Sequence, residues 1–390
     1  MSIVKIDTEY VRKFRRQFHM HPELSMKEEL TSHAVQEALQ EMGAEVEIVP
    51  PLGVIGILRG KQPGKTIVLR ADMDALPMQE SEENLYQERK TVLSKVPGVA
   101  HTCGHDAHTA MLLGAAKALC QMKGSFNGTV LCCFEQAEET GQGWEGMLKA
   151  LSKYSVDAGW ALHTRPSIPV GKMALIAGPS SAGAMGFDVE IKGRGCHGAE
   201  LYEGIDPIMC GVHLLEGLQD LVTRRVYPGS PAVLSVGKFQ AGHAPNIIPE
   251  TARIAGTMRF FSRENGEVMK EGFQQILDGT CQAFRCTYST TKLIDCVPLI
   301  NDPHTVDVVS RALSQFLGDG NLIPMDPLMG SESFANYAEK FPCAYGYLGI
   351  DTPGRGVSAM PHQPKFDIDE TCLDIGAGAT VQAALALLNT

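Results

Sequence analysis

Eight consecutive residues, His101-Thr102-Cys103-Gly104-His105-Asp106-Ala107-His108, constrain the fold of this chain more than any other stretch. They crowd three imidazoles, a thiol and a carboxylate into a segment too short to serve as core, between Val96-Pro97-Gly98-Val99 and a helical pattern. Cys103 and His105 flank a glycine, so an extended or turning backbone can aim both at one point. A thiolate and an imidazole are both good ligands for a zinc-like ion. Two residues cannot fill a site of about four ligands, so the fold must carry further donors to the same place. The pattern Met111, Leu112, Ala115, Ala116, Leu119 and Met122 predicts a helix from Thr109 to Met122 that holds the cluster at its N-terminal end. Taken singly, His101 and His108 are equally consistent with polar residues capping that helix.

Further donors recur where strands are expected to end. Thr66 to Leu69 reads as a buried strand leading into Arg70-Ala71-Asp72-Met73-Asp74-Ala75-Leu76-Pro77. Its two carboxylates, one residue apart, suit a metal ligand or the orientation of a ligand histidine, and equally a solvated turn. A strand from Gly128 to Phe134 delivers Glu135-Gln136-Ala137-Glu138-Glu139. In such a pair one carboxylate can bind metal while its neighbour takes a proton from water, although adjacent glutamates are also common on solvated surfaces. A strand from Asp157 to Leu162 stops at His163.

Upstream, Tyr10 to Phe18 forms an amphipathic helix ended by Pro22. Ser25 and Glu28 have the spacing of a capping box for a helix over Thr31 to Met42, stopped by Gly43, with strands at Glu45 to Val49 and Val54 to Leu58. Alternating strands and helices with donors at strand ends describe an α/β sheet with its site along one edge. The pattern changes after Gly178-Pro179-Ser180-Ser181. Strands at Phe187 to Ile191, Ala232 to Phe239, Thr251 to Phe260 and Thr287 to Leu293, with helices at Asp206 to Gln219 and Val268 to Phe284, give a ferredoxin-like split order. This predicts a separate inserted domain over 183–292, after which the chain returns to α/β and closes with a helix from Thr371 to Leu388.

The net charge of -11, with both signs interspersed, gives no basic stripe for nucleic acid, and no run of about 18 apolar residues suggests a membrane span. Met1-Ser2-Ile3-Val4-Lys5-Ile6-Asp7 has no apolar leader core, and eleven scattered cysteines fit reduced thiols, so a cytoplasmic location is expected. Cys132 and Cys133, in an apolar strand, and Cys120, in a helix, read as small core residues.

The set Asp72-Met73-Asp74, Cys103-Gly104-His105-Asp106, Glu138-Glu139, His163 and His362 resembles the di-metal amidohydrolases of metallopeptidase family 20, in the branch of N-acyl-amino-acid and auxin-conjugate hydrolases. His19-Met20-His21-Pro22-Glu23-Leu24-Ser25, Leu69 to Pro77 and Asn246-Ile247-Ile248-Pro249 extend the resemblance over nearly the whole chain. It implies a catalytic α/β domain, with a mixed central sheet flanked by helices, over 1–182 and 293–390. The inserted ferredoxin-like α+β domain, 183–292, would be a lid and form a homodimer.

The resemblance also implies roles. Cys103 would bridge two divalent ions, with His105, Glu139, His163 and His362 completing both positions, and Glu138 would be the general base. Asp74 would orient a ligand, beside Asp72. His197 would stabilise the oxyanion across a dimer, and Asn246 and Arg259 would hold the substrate's carboxylate or carbonyl. Read locally, these last three are a loop histidine, a turn residue and a strand-face ion-pair partner. Zinc suits the thiolate, and manganese, cobalt or nickel suit exchangeable positions. The implied substrate is a small N-acyl amino acid or related conjugate, with a dipeptide or carboxypeptidase-type hydrolase as the alternative.

Departures from the family pattern fall at Glu135-Gln136, at Glu200-Leu201-Tyr202-Glu203 and at Ser333, and they bear on substrate identity because none removes a ligand. Two rival readings remain: a non-catalytic ligand-binding protein, which would have little use for Glu138, and a hydrolase using Cys103 as nucleophile with His105.

Overall fold

The computed structural model describes residues 5–352 and 359–390, without the side chains of Lys292 and Ile294; Met1 to Val4, part of the stretch read for a leader, lie outside it. The chain forms two compact units, one of Met1–Gly178, Ile300–Asp326 and Asn336–Thr390, the other of Pro179–Leu299 and Pro327–Ala335. The return segment joins the second unit through Leu328, which exchanges backbone hydrogen bonds with Ser180 and Ala182.

The first unit is built on an eight-stranded mixed sheet in the order Glu45–Val49, Gly53–Arg59, Thr129–Glu135, Thr66–Asp72, Ala158–Pro169, Cys343–Asp351, Met173–Leu175, Leu322–Ile323. Its four central strands, Thr129–Glu135 to Cys343–Asp351, run parallel, and three of them are buried along almost their whole length, as strands covered on both faces must be. Register pairs Asp72 with Glu135, so the acidic segments that follow both strands leave the sheet side by side. The His105–Gln121 helix packs on the sheet and is covered by the Thr8–Met20 and Cys372–Leu388 helices. It is therefore buried around nearly its whole circumference, more than the apolar stripe required. Cys132 and Cys133 are buried in their strand, and Cys120 is half-buried in its helix.

Two local expectations fail here. The Ala158–Pro169 strand runs through His163 instead of stopping at it, because pairing with Cys343–Asp351 continues past that residue. Ser25 and Glu28 form no capping box: the Glu29–Glu41 helix takes its cap from Glu23, whose carboxylate accepts the N–H groups of Leu30 (3.0 Å) and Thr31 (2.8 Å).

The second unit has a four-stranded antiparallel sheet in the order Ala232–Ala241, Thr251–Phe260, Gly183–Lys192, Thr287–Cys296. The helices Pro207–Arg225 and Arg263–Ala283 pack on it over a core that includes Phe187, Ile254, Leu214 and Phe273. Asp206 and Ser262 cap these helices, and Pro207 occupies the first turn where its missing N–H costs nothing. Among the described residues no helix is long and apolar enough to cross a membrane.

Candidate metal centre

Half of the eight-residue cluster, His105 to His108, is the first turn of the helix itself, and His101 to Gly104 lead into it. The helix begins at His105, with Gly104 as its N-cap at φ +96°. A Cβ at Gly104 would lie 2.3 Å from Thr164 Oγ1, so only glycine fits both the backbone and the space. That turn sets the Cys103 sulfur 3.4 Å from His163 Nε2 and buries His105 completely beside it.

Donor atoms gather in two overlapping groups. Cys103, His105 and His163 offer one ligand atom each within 4.8 Å of one another, and Cys103, Glu139 and His362 do the same. Cys103 belongs to both. His362 Nε2 and Glu139 Oε1 are 3.2 Å apart, and Glu138 approaches His105 and Glu139 within the same 4.8 Å limit. All of these residues lie in the first unit.

The hydrogen bonds fix the imidazole tautomers. His105 donates from Nδ1 to the Asp74 carbonyl (3.0 Å), with Asp74 Oδ1 at 3.2 Å, leaving buried Nε2 without a hydrogen-bond partner. His163 donates from Nδ1 to its neighbour's carbonyl, Thr164 O (2.7 Å), leaving Nε2 toward the sulfur. His163 thus turns a lone pair inward, and His105 does so once its Nε2 proton is given up, the arrangement a carbonyl imposes on a metal-binding imidazole. His108 is different. Its Nε2 accepts the Thr164 N–H (3.0 Å), so its proton is on Nδ1, facing Asp72 Oδ1 at 2.7 Å. Although Asp72, His105 and His108 also lie close together, His108 has spent both nitrogens on protein partners. Asp72 is likewise held, by Arg70 at 2.7 Å, and Arg70 also binds Glu135 (3.0 Å). Glu135 in turn accepts the Tyr337 hydroxyl (2.6 Å). Asp72 is thus neither a solvated turn nor an open donor. His101 is buried with neither nitrogen hydrogen-bonded within the described structure, and burial pushes its pKa down to about 4.

The surrounding charges act on each donor differently. Burial, then the Glu139 carboxylate, raises the Cys103 thiol well above its ordinary range. Burial opposes charging His105, but Asp72 and then Cys103 outweigh it and hold its pKa well above the usual histidine value. His163 is held well below that value by burial, then by His108, and stays a neutral donor. The Glu139 hydrogen bond raises His362.

Asp74 is the hub beneath the donors. Its Oδ2 accepts from Glu139 N (3.0 Å) and Ser25 Oγ (2.6 Å). Ser25, Arg70, Glu28 and Thr164 were not singled out by sequence reasoning for this site. Arg70 had a signal, a charge at the end of a buried strand, whereas the others become visible only through contacts distant in sequence. The remaining expected residues, His197, Asn246 and Arg259, belong to the second unit. His197 pairs with Ile247 across two short strands, and Gly198 N–H donates to Asn246 O (2.8 Å). His197 and Asn246 are exposed, and His197 lines a groove of about 1140 Å³ with Phe239, His243 and Ile247. Arg259 is half-buried in the Thr251–Phe260 strand.

The sequence profile of the peptidase family M20/M25/M40 matches residues 68–386. The chain is 34% identical to thermostable carboxypeptidase 2 of Saccharolobus solfataricus, over 99% of this chain and 97% of that protein. It is 34% identical to N-acetylcysteine deacetylase of Bacillus subtilis, over 96% of each. The solved structure of a dinuclear metal-binding peptidase of family M20 from Bacillus subtilis superposes with a TM-score of 0.82 at 31% identity, covering 98% of this chain and 99% of that one.

Proposed function

Because the chain belongs to peptidase family M20/M25/M40 and is a metal-dependent hydrolase of amides, we propose that it cleaves the amide bond of N-acyl amino acids or related small conjugates, releasing a carboxylic acid and a free amino acid. The observation that carries this reading is the sharing of Cys103 between two three-donor groups. One sulfur, three imidazoles and a carboxylate fit two divalent ions, zinc by preference for the thiolate, and the inward-facing Nε2 atoms of His105 and His163 suit the same ions. We assign Cys103, His105 and His163 to one ion and Cys103, Glu139 and His362 to the other. When bound, such ions lower the pKa of water towards about 7 and polarise a carbonyl.

The protein supplies the rest. Glu138, beside Glu139 and His105, takes a proton from the attacking water and returns it to the leaving amine nitrogen. Asp74 holds the His105 ring and the Glu139 backbone in place. In the second unit, which we assign as the dimerisation and lid domain, His197 is the oxyanion donor to the partner protomer's site, and Asn246 and Arg259 hold the substrate's carboxylate or carbonyl. The similarity to a protein named as a carboxypeptidase supports a second reading, cleavage of a small dipeptide-like substrate.

Dialysis against a chelator, then assay on N-acetyl, N-benzoyl and longer N-acyl amino acids and on dipeptides before and after adding back zinc or manganese, tests the proposal. Activity lost with metal, restored by it and absent in Glu138→Gln supports it, and the ranking of substrates separates the two readings. A loaded protein that binds these compounds and cleaves none would sink both.

A further inference from the structure

We propose that Glu28 is a positioning residue of this centre: by accepting the Ala137 N–H, its carboxylate fixes the turn that presents Glu138 and Glu139. The inference rests on the roles given to those two glutamates above.

Ala137 has φ +53°, a left-handed conformation unusual for alanine, and it is fully buried. The turn it opens is closed from within by Gln142 N–H on Ala137 O (3.1 Å) and Gly141 N–H on Glu138 O (2.8 Å). Its position is set from outside by two carboxylates. Glu28 Oε1 accepts Ala137 N–H at 2.7 Å, and Asp74 Oδ2 accepts Glu139 N–H at 3.0 Å. Glu138 is therefore held between two backbone anchors, one on each side.

Glu28 reaches this place from 109 residues away and is fully buried. A buried carboxylate is normally paired with a cation, but here burial and the Asp74 charge push its pKa up to about 7 against the lowering pull of the Ala137 N–H, and among the described residues no cation is one of the main influences on it. Helix capping does not explain it, because Glu23 supplies the cap. What it does hold is the amide preceding the acidic pair. Ser25, from the same segment, donates to Asp74 Oδ2 (2.6 Å), so residues 25–28 support both anchors. Reach, more than charge, is what this contact needs.

The test compares Glu28→Gln, which keeps an acceptor at the same reach, with Glu28→Asp, which keeps the charge but is one methylene shorter, and with Glu28→Ala. Zinc affinity is read by competition with a chromogenic chelator, kcat and KM on the best substrate of the panel, and folding by near-ultraviolet dichroism. We expect Gln within about 3-fold of the parent, and Asp and Ala lowered about 10–100-fold in zinc affinity and in kcat, with KM nearly unchanged. If Ala does not fold, the Asp and Gln variants decide. Parent-like zinc affinity and kcat in Asp, or a loss in Gln as large as in Asp, overturns the assignment. If the zinc-loaded parent cleaves no substrate, the hydrolase reading fails, while the zinc affinities still decide the role of Glu28.

Discussion

Cys103, His105 and Glu139 in the first unit and His197 and Asn246 in the second are held in opposite ways. Cys103, His105 and Glu139 are gripped from behind: Gly104 leaves room for the turn, Asp74 orients a ring and an amide, and the Thr164 carbonyl sets the proton of His163. His197 is exposed on one of two short paired strands, and Asn246 is exposed in the turn just before the other. Metal binding needs donors fixed to a fraction of an ångström, and buried hydrogen bonds supply that. Residues that meet a substrate must stay open to it.

The sharpest way to break this contrast is Gly104→Ala. The substitution forces alanine to φ +96° and places its Cβ against Thr164, so we expect at least about 100-fold weaker metal binding and a matching loss of activity, read as metal content after dialysis. Metal content like the parent's would show that the turn tolerates displacement. Next come the second-unit variants. His197→Ala should lower kcat by about 100-fold or more, and Arg259→Ala should raise KM by about 10–100-fold, the worth of a charge-assisted hydrogen bond. Both should keep full metal content, and a loss of bound metal in either would erase the distinction between the regions.

The smallest effect sharpens the comparison through pH. Glu80 is opposed by burial but bound to His19 (3.0 Å) and Lys90 (2.9 Å), which leaves its pKa lowered from 4.5 to about 2. A folded pKa below the unfolded one gives stability that is present above about 4.5 and disappears as pH falls towards 2. Thermal melts of Glu80→Gln should therefore show a shallower acid loss than the parent across that window. An unchanged acid slope would remove Glu80 from the account.

Much of the layout was legible in the chain. The Glu45–Val49 and Thr251–Phe260 strands fall where they were expected, because strand propensity is a short-range property. The grouping of Cys103, His105, Glu138, Glu139, His163 and His362 was legible only through the family resemblance, since adjacent glutamates and single histidines are also common on solvated surfaces. The histidines were harder. His105 and His108 lie on one helix, yet one turns its Nε2 inward and the other is consumed by Asp72 and Thr164.

Ser25 and Glu28 mark the boundary most clearly. The spacing Ser-x-x-Glu is a true local signature of a helix start, and nothing within a few residues contradicts it. The structure instead gives the cap to Glu23 and sends Ser25 to Asp74 and Glu28 to Ala137. Residue type and short-range period carry the candidate donor types and most of the strands and helices. Which polar groups face the centre and which are spent on supporting it emerges from the folded chain. That choice follows from pairing buried polar groups with partners that can be 109 residues apart, which no local pattern encodes.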